Sequence, residues 1–434
     1  MVSARLSSPH LTAVDEAAWP GVATVPSGWM AGVKARAAER AFAKACAQAG
    51  IELDPEAGAD VVVERAELFA RIGESGWVGL AEGYMAGEWS TGSTDSLVDV
   101  LASLISAGYR PRNTAKAGFA ESAGGDVPPE LVQHYAGDGM SAFTGHFATG
   151  VPTTERTRVK SFAPGAGRGN RPAAHFVDVT SIGAPLEAGR EDLAHAQHRT
   201  VEMLLDSSSA GPGTHLVEYP ASGGAVAIEA ARRRATVDCI TPDPGTARAL
   251  EERLTLAGVR DAVRVERDAA AGTRRRGYYD AAVSVEKLET LAPRDKTRYL
   301  AILGNLLEPG GRAVLQTVTR TGAYNAAADA AVESMRAYVW PGLSFSTPEE
   351  IARMIDRGTG LRVIGETHAP DHLAASLRLQ RLTFDTHLRE AAADGFDVVY
   401  RRLWQWQFAL REALARCAMT DLVQLTFAPR SRHR

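Results

Sequence analysis

The stretch LVEYPASGG, residues 216–224, carries residue types that could bind a nucleotide-like cofactor. An apolar run ends at Glu218, a turn of small residues follows, and the helix-forming run AVAIEAARRR begins after Gly224. A strand, an acid, a small-residue turn and a helix, in this order, place a ligand at a helix N-terminus in α/β nucleotide-binding proteins. The turn nevertheless carries Pro220 and Ser222 where glycines would be expected, and proline has no N–H to donate.

The elements around this turn alternate between strand and helix from about residue 190 onward. Strand-like runs such as THLVEY, TVDCIT, YYDAAVSV and RAVLQTVT are separated by helix-like runs, several of which stop at glycine. This alternation predicts a mostly parallel sheet with helices on both faces and a ligand beyond the carboxyl ends of the strands. We therefore predict three parts: a smaller N-terminal domain, then a linker with a Gly-, Pro- and Arg-rich loop or lid, then the α/β domain, over residues 1–125, 126–184 and 185–434.

Composition excludes several classes of protein. The chain has 434 residues and a formal net charge of -4, which argues against a general nucleic-acid binder. Its three cysteines are far apart and lack CxxC spacing, so we expect neither a disulfide framework nor a metal site. No apolar run is long enough to span a bilayer and no signal-peptide pattern opens the chain. We expect a cytoplasmic protein, with any membrane contact peripheral and at the inner face.

The loop predicted within the linker is locally basic. Residues 145–175 are rich in Gly, Pro, Thr and Arg and show little periodicity, which is typical of a mobile insertion or lid. Two interpretations stay open: its basic side chains meet lipid phosphates, or they belong to a solvated flexible loop. These side chains are Arg156, Arg158, Lys160, Arg168 and Arg171.

Motifs spread along the chain resemble one enzyme family. YDAAVSVEKLE, LLEPGGRAVLQTVT and AYVWPG in the second half, and VGLAEGYMAGEWS in the first, resemble motifs of the cyclopropane-fatty-acid synthases. These are class I S-adenosylmethionine methyltransferases that act on unsaturated phospholipid acyl chains. The resemblance implies a Rossmann-like class I methyltransferase sheet and methyl transfer to an acyl double bond, giving a cyclopropane or methyl-branched product. It also implies bicarbonate as the base that removes a proton.

The resemblance assigns roles to individual residues. It implies cofactor contacts from an acid that ends the first strand, from loop glycines, from an acid near the adenine and from a glutamine ahead of the sheet: Glu218, Gly223, Gly224, Asp268 and Gln197. It implies a catalytic group made of a glutamate and a tyrosine of the bicarbonate site, with a glutamine where members carry His or Gln: Glu289, Tyr338 and Gln316.

The chain also departs from the family pattern. The family's cofactor loop EIGCGWG appears as EYPASGG, and the cysteine of the bicarbonate site is replaced by Ile182. We therefore keep alternatives: an active lipid methyltransferase with an unusual cofactor loop, a non-catalytic paralogue acting as a lipid-binding or scaffold partner, or a cofactor-free catalyst. In each case the expected partners are phospholipid acyl chains at the membrane surface, and a homo- or hetero-oligomer is compatible with the sequence.

Overall fold

The computed structural model describes residues 9–54, 59–112, 127–169, 171–267, 272 and 275–430. Its contacts divide the chain into two compact units. The first unit comprises Met1–Gly124, Gly322–Pro341 and Phe384–Met419, and the second comprises Gly125–Thr321, Gly342–Thr383 and Thr420–Arg434.

The first unit is mainly helical. Its helices are α1 to α5 in the N-terminal part and α11, α14 and α15 in the C-terminal half: Pro20–Ala23, Trp29–Ala49, Glu67–Ser75, Trp77–Ala86, Thr94–Ser106, Ala326–Tyr338, Leu388–Ala393 and Val398–Arg416. Three short strands, β1 to β3, form a small sheet: Leu53–Asp54, Val61–Val63 and Trp89–Ser90. Local signals set the helix ends, since α5 is capped by the Ser93 side chain and α2 ends at Gly50 with φ of 72°.

The first unit draws two stretches from the C-terminal half, which differs from the predicted domain boundaries. The buried Trp406 of α15 donates its indole N–H to Ser334 Oγ of α11 at 3.0 Å and packs edge-on against Trp89. These large buried side chains supply core that the N-terminal part would otherwise lack. The segment 126–184, predicted as a linker, belongs to the second unit.

The second unit is built on a nine-stranded sheet. The strands β4 to β12 are Thr153–Lys160, Ala174–Ser181, His215–Glu218, Thr236–Ile240, Val263–Glu266, Tyr279–Val285, Leu307–Arg320, Leu361–His368 and Thr420–Pro429. Their order is β4-β5-β11-β12-β10-β9-β6-β7-β8. The helices are α6 to α10, α12 and α13: Pro129–Val132, Asp192–Ser208, Ala225–Arg232, Pro244–Leu256, Pro293–Leu306, Pro348–Gly358 and Pro370–Thr386.

Strands β10, β9, β6, β7 and β8 run parallel, while β12 lies antiparallel between β10 and β11. From β6 the chain proceeds to β7 and β8 on one side, whereas β9 and β10 lie on the other. Ligands of open α/β sheets bind where the strand order reverses in this way, at the carboxyl ends. The ends of β6 and β9, at Glu218 and Val285, therefore define the expected crevice.

The region predicted to contain a loop or lid, residues 126–184, includes two paired strands. Strand β4 pairs antiparallel with β5 over eight residues, from Thr153 opposite Ser181 to Lys160 opposite Ala174. The segment TTERTRVK has alternating β-branched residues but only one apolar side chain, Val159, which packs against the core. A hydrophobic pattern therefore could not reveal this strand.

Among the described residues, no helix is both long and apolar enough to cross a membrane.

Candidate active site

The cofactor loop begins at Glu218, the last residue of β6, whose side chain is fully buried. Its carboxylate accepts hydrogen bonds from the backbone N–H of Ser222, at 2.9 Å, and from the Ser222 hydroxyl, and Cys239 Sγ lies 3.5 Å away. Burial raises the pKa of Glu218, while the two bonds from Ser222 oppose that rise. Ser222, which stands where the family has glycine, therefore supplies two hydrogen-bond donors to a buried carboxyl group.

The backbone N–H groups ahead of Gly223 are already used inside the protein. Those of Tyr219 and Ala221 donate to carbonyls of the neighbouring strands at 3.0 Å, and that of Ser222 donates to Glu218. The proline between Tyr219 and Ala221 has no N–H. A cofactor could therefore receive backbone hydrogen bonds from this loop only at its glycine end.

The two predicted cofactor glycines adopt a backbone that other residues rarely take. Gly223 and Gly224 have φ of 98° and 110°, and a Cβ on Gly223 would collide with the carbonyl oxygen of Met140. Arg253 links the same two segments, because its guanidinium donates to Gly223 O at 2.9 Å and to Gly139 O at 3.2 Å. The end of the loop is thus pressed against a second stretch of backbone.

Gln197 holds that second stretch, which we call the covering segment (residues 137–145). Its side-chain oxygen accepts from the N–H groups of Gly137 and Asp138, at 3.0 and 3.3 Å. Its side-chain nitrogen donates to the carbonyls of Ser141 and Phe143, at 2.8 and 3.1 Å. The side chain is fully buried. The geometry therefore favours a positioning role for Gln197, while the direct cofactor contact stays a prediction.

Near its C-terminal end, the covering segment contacts a carboxylate, that of Glu286, which the sequence analysis did not single out. Both the N–H of Thr144, at 2.8 Å, and its hydroxyl donate to Glu286 Oε1. Gln316 donates to the same oxygen at 3.1 Å and to Thr144 O at 3.2 Å, and Gln424 donates to the Gln316 side chain at 3.0 Å. The predicted catalytic residue Gln316 thus positions Glu286.

Glu286 follows β9 directly and has φ of 46°, an uncommon backbone for a residue with a side chain. The available sequence signal was its place after a buried strand in AAVSVEKLE, at the edge where ligands bind. Thr144 and Gln316, which donate hydrogen bonds to Glu286, are distant from it in sequence, so the sequence did not indicate these contacts.

Glu289, in the turn after β9, is a buried carboxyl group, whereas Glu286 is half-buried. Its oxygens accept from the Thr317 hydroxyl at 2.7 Å and from the Val318 N–H at 3.3 Å. Burial raises the pKa of Glu289 to about 7, the negative charge of Glu286 adds to the rise, and these hydrogen bonds oppose it. A carboxyl group that titrates near neutrality is suited to acid–base chemistry.

The remaining predicted residues are placed differently. Tyr338 ends α11 in the first unit, where its hydroxyl donates to Glu82 at 2.6 Å; burial raises the pKa of Glu82 to about 7. A Cβ on Gly21 would collide with the same hydroxyl. Tyr338 and Glu289 belong to different units, so their joint action stays a prediction. Asp268 lies outside the described residues.

S-adenosylmethionine needs partners for its ribose hydroxyls as well as for its amino-acid end. Thr241 directly follows β7 at the same carboxyl edge, is 1% exposed, and its hydroxyl has no hydrogen-bond partner among the described residues. Such an orphaned buried hydroxyl is compatible with a polar ligand. With Gly223 and Gly224 at the N-terminus of α8, the residues present fit the cofactor, with fewer backbone donors than a glycine-rich loop would offer.

Comparison with known proteins decides the family. A family model described as mycolic acid cyclopropane synthetase matches residues 179–425. The chain belongs to this family. Among curated proteins, it is similar to a tuberculostearic acid methyltransferase of Mycobacterium tuberculosis, at 29% identity over 95% of this chain and 96% of that protein. Membership in a family of S-adenosylmethionine-dependent methyltransferases confirms the prediction of an enzyme of methyltransferase type.

Solved structures confirm the fold. A cyclopropane synthase from Mycobacterium tuberculosis matches with a TM-score of 0.50 and 20% identity, over 54% of this chain and 85% of that one. A coclaurine N-methyltransferase, solved with N-methylheliamine and S-adenosylhomocysteine, matches with a TM-score of 0.55 and 12% identity, over 81% of this chain and 99% of that one. The large sheet flanked by helices is that of class I methyltransferases, as the sequence predicted.

Proposed function

We propose that the protein transfers a methyl group from S-adenosylmethionine to the double bond of unsaturated acyl chains in phospholipids. The product would be a cyclopropane or methyl-branched chain. The observation that carries the proposal is the placement of the cofactor loop after β6 and the carboxyl pair Glu286 and Glu289 after β9, at one edge of the sheet. Family membership supports the reaction class, and the related tuberculostearic acid methyltransferase supports a fatty acyl substrate.

Four residues would hold the cofactor. Gly223 and Gly224 would offer backbone N–H groups at a helix N-terminus, Thr241 would accept or donate through its hydroxyl, and Glu218 would present a carboxyl group beside them. When bound, S-adenosylmethionine supplies an electrophilic methyl group to which the acyl double bond adds, leaving a positive charge on the chain. Water must be excluded from such a site, because it would capture that charge.

Glu289 would take up the proton that the methylated chain must lose. Its Oε1 atom carries the longer of its two hydrogen bonds, at 3.3 Å, and its pKa near 7 makes proton uptake and release both accessible. Loss of a proton from the transferred carbon closes a cyclopropane ring or leaves a methylene group; a methyl branch requires a separate reductant. Thr144 and Gln316 would hold the Glu286 side chain in a fixed position close to the cationic chain.

Bicarbonate is part of the proposal as an alternative proton acceptor. Glu289 in its protonated form could donate a hydrogen bond to this anion, whereas its ionised form would repel it. Bicarbonate stimulation should therefore weaken as the pH rises above about 7, where Glu289 ionises. We place the reaction at the cytoplasmic surface of the membrane, with phospholipid as the partner.

The experiment that tests this proposal compares substrates. Purified protein is incubated with S-adenosylmethionine and, in parallel, with a monounsaturated phospholipid, its saturated analogue and the free monounsaturated acid. Mass spectrometry should find one added carbon in the acyl chain of the unsaturated phospholipid only. Modification of the free acid alone would contradict the phospholipid assignment, and modification of the saturated chain would contradict the double-bond chemistry.

A further inference from the structure

The β4–β5 hairpin presents a basic and aromatic surface. Residues two apart on a strand share a face, and so do residues directly opposite on a paired strand. Arg156, Arg158 and Lys160 therefore lie on one face of β4, with Phe176 of β5 opposite Arg158. We call these four residues the hairpin face. The other face carries Val159, which packs against the core.

The side chains of the hairpin face are exposed. Phe176 is 54% exposed, and the Arg156 guanidinium lies over its ring, 5.4 Å from the ring centre. Arg156 is 3.8 Å from the exposed carboxylate of Asp178, whereas Arg158 and Lys160 form no ion pair within the part of the chain that the structure describes. Ion pairs between exposed side chains are weak. The face therefore keeps an excess of positive charge around an exposed apolar ring.

The hairpin is also fixed to the sheet. Four residues of β5, Asp178 to Ser181, pair with β11, so the face is held on a regular strand. Ions at physiological strength screen charges beyond about 8 Å, so the small negative net charge of the chain does not cancel this local surface. Successive cations on one strand face are about 7 Å apart, so three of them can meet separate phosphate groups.

We infer that the hairpin face docks the protein on an anionic phospholipid surface, with the cations on the phosphates and Phe176 in the interfacial layer. This inference rests on the proposed function, because it supplies the contact between the enzyme and its lipid substrate. A polybasic surface with an aromatic side chain suits the membrane interface. A single-stranded nucleic acid would instead require several stacking rings along a groove. Among the described residues of this face, Phe176 is the exposed ring.

The test measures binding of the intact protein to vesicles by sedimentation. The probes are vesicles of phosphatidylcholine alone and of phosphatidylcholine mixed with phosphatidylglycerol, each at low and high salt. The wild type should prefer the anionic vesicles and lose that preference at high salt. The triple variant Arg156→Gln, Arg158→Gln and Lys160→Gln should lose about a hundredfold in partitioning, at roughly fivefold per basic residue near an anionic surface.

A matched control removes the same charge elsewhere on the second unit. The variant Arg232→Gln, Arg264→Gln and Arg294→Gln alters three side chains that are at least 60% exposed. It should bind anionic vesicles as the wild type does. Phe176→Ser should weaken the part of the binding that survives high salt, because that part depends on apolar contact. Circular dichroism checks that each variant is folded.

Three results would overturn the inference. These are equal binding of the triple variant and the wild type to anionic vesicles, equal losses in the triple variant and its matched control, and preferential binding of single-stranded RNA that the triple substitution abolishes. Methylation of detergent-dispersed phospholipid separates this inference from the proposed function. The triple variant should keep that activity. If the wild type binds vesicles but methylates no lipid, the proposed function is contradicted and the docking inference is not.

Discussion

At the scale of single residues, Ser222 shows how a departure from a family motif can be compensated. Its hydroxyl and N–H both bind the carboxyl group of Glu218, which has no exposure to water. A glycine would provide the N–H but not the hydroxyl. The sequence alone marked Ser222 as a departure from the glycine expected there, whereas the structure gives its side chain a partner within the loop.

Removing this hydroxyl should destabilise the protein. In Ser222→Ala, the buried Glu218 carboxyl group loses one donor, which should lower the free energy of unfolding by about 1–3 kcal/mol. Chemical denaturation measures the change. The control Ser96→Ala removes a hydroxyl whose hydrogen bond, to the Ser93 hydroxyl, is exposed rather than part-buried, and it should change stability by less. A Ser222→Ala protein as stable as the wild type would show that this hydrogen bond contributes nothing net.

Glu289 should make stability depend on pH. Its pKa is raised in the folded protein, to about 7, so folding favours the protonated form. The resulting stabilisation is present at low pH and is lost as the pH rises through about 7, with an upper bound of about 3.5 kcal/mol. Glu289→Gln stays neutral at every pH. Its free energy of unfolding should therefore fall less than that of the wild type between pH 5 and pH 8.

Denaturation series at several pH values measure this effect. The pKa of Glu82 is also raised to about 7. The free energy of unfolding of both the wild type and Glu289→Gln should therefore still decrease with pH by the amount that Glu82 contributes. Glu252→Gln, which alters an exposed carboxylate, serves as the control and should follow the wild-type curve. Identical pH dependence in Glu289→Gln and the wild type would contradict the assignment.

At the scale of elements, the covering segment connects the cofactor loop with the carboxyl pair. Met140 lies against Gly223 at one end, and Thr144 donates to Glu286 at the other. Gln197 on α7 holds the stretch between them through four backbone groups. The helix falls within the strand–helix alternation predicted from about residue 190, and Gln197 was predictable from the family resemblance. The role of Gln197 was not, because its partners lie more than 50 positions away.

Replacing Gln197 should loosen this segment. Gln197→Met keeps most of the side-chain volume but removes all four hydrogen bonds, which should cost about 2–4 kcal/mol of stability. Hydrogen exchange should become faster in residues 137–145 before it does so in β6. Gln133→Met, outside the segment, is the control. Unchanged exchange in residues 137–145 would contradict the positioning role.

The loop itself should respond to a restored donor. In Pro220→Ala, an N–H returns at the position where the family has its first glycine, and cofactor affinity should rise about tenfold, the worth of one hydrogen bond to a charged group. Pro220→Gly should show a similar gain. Calorimetry with S-adenosylmethionine measures both. Affinity that rises only in the glycine variant would assign the effect to backbone freedom instead.

At the scale of the whole molecule, features that depend on residues close together in sequence were predictable. Features that depend on contacts between residues far apart in sequence were not. The parallel sheet was predictable because strand and helix periodicities are local, and the loop position followed from the strand that ends at Glu218. The edge strand β4 was missed because exposed Thr and Arg residues give it little hydrophobic pattern. The division into units was also missed, since the packing of Trp406 on Ser334 joins distant parts of the chain.

The central claim is that this chain transfers a methyl group to an acyl double bond despite its unusual cofactor loop. The most direct measurement uses S-adenosylmethionine with an isotopically labelled methyl group and a monounsaturated phospholipid, and follows label into the acyl chain. We predict label in the chain with wild-type protein, and a rate at least about a hundredfold lower with Glu289→Gln, in line with the usual size of an acid–base contribution. No label in the lipid, from a folded protein at saturating cofactor, would contradict the account and favour a non-catalytic lipid-binding role.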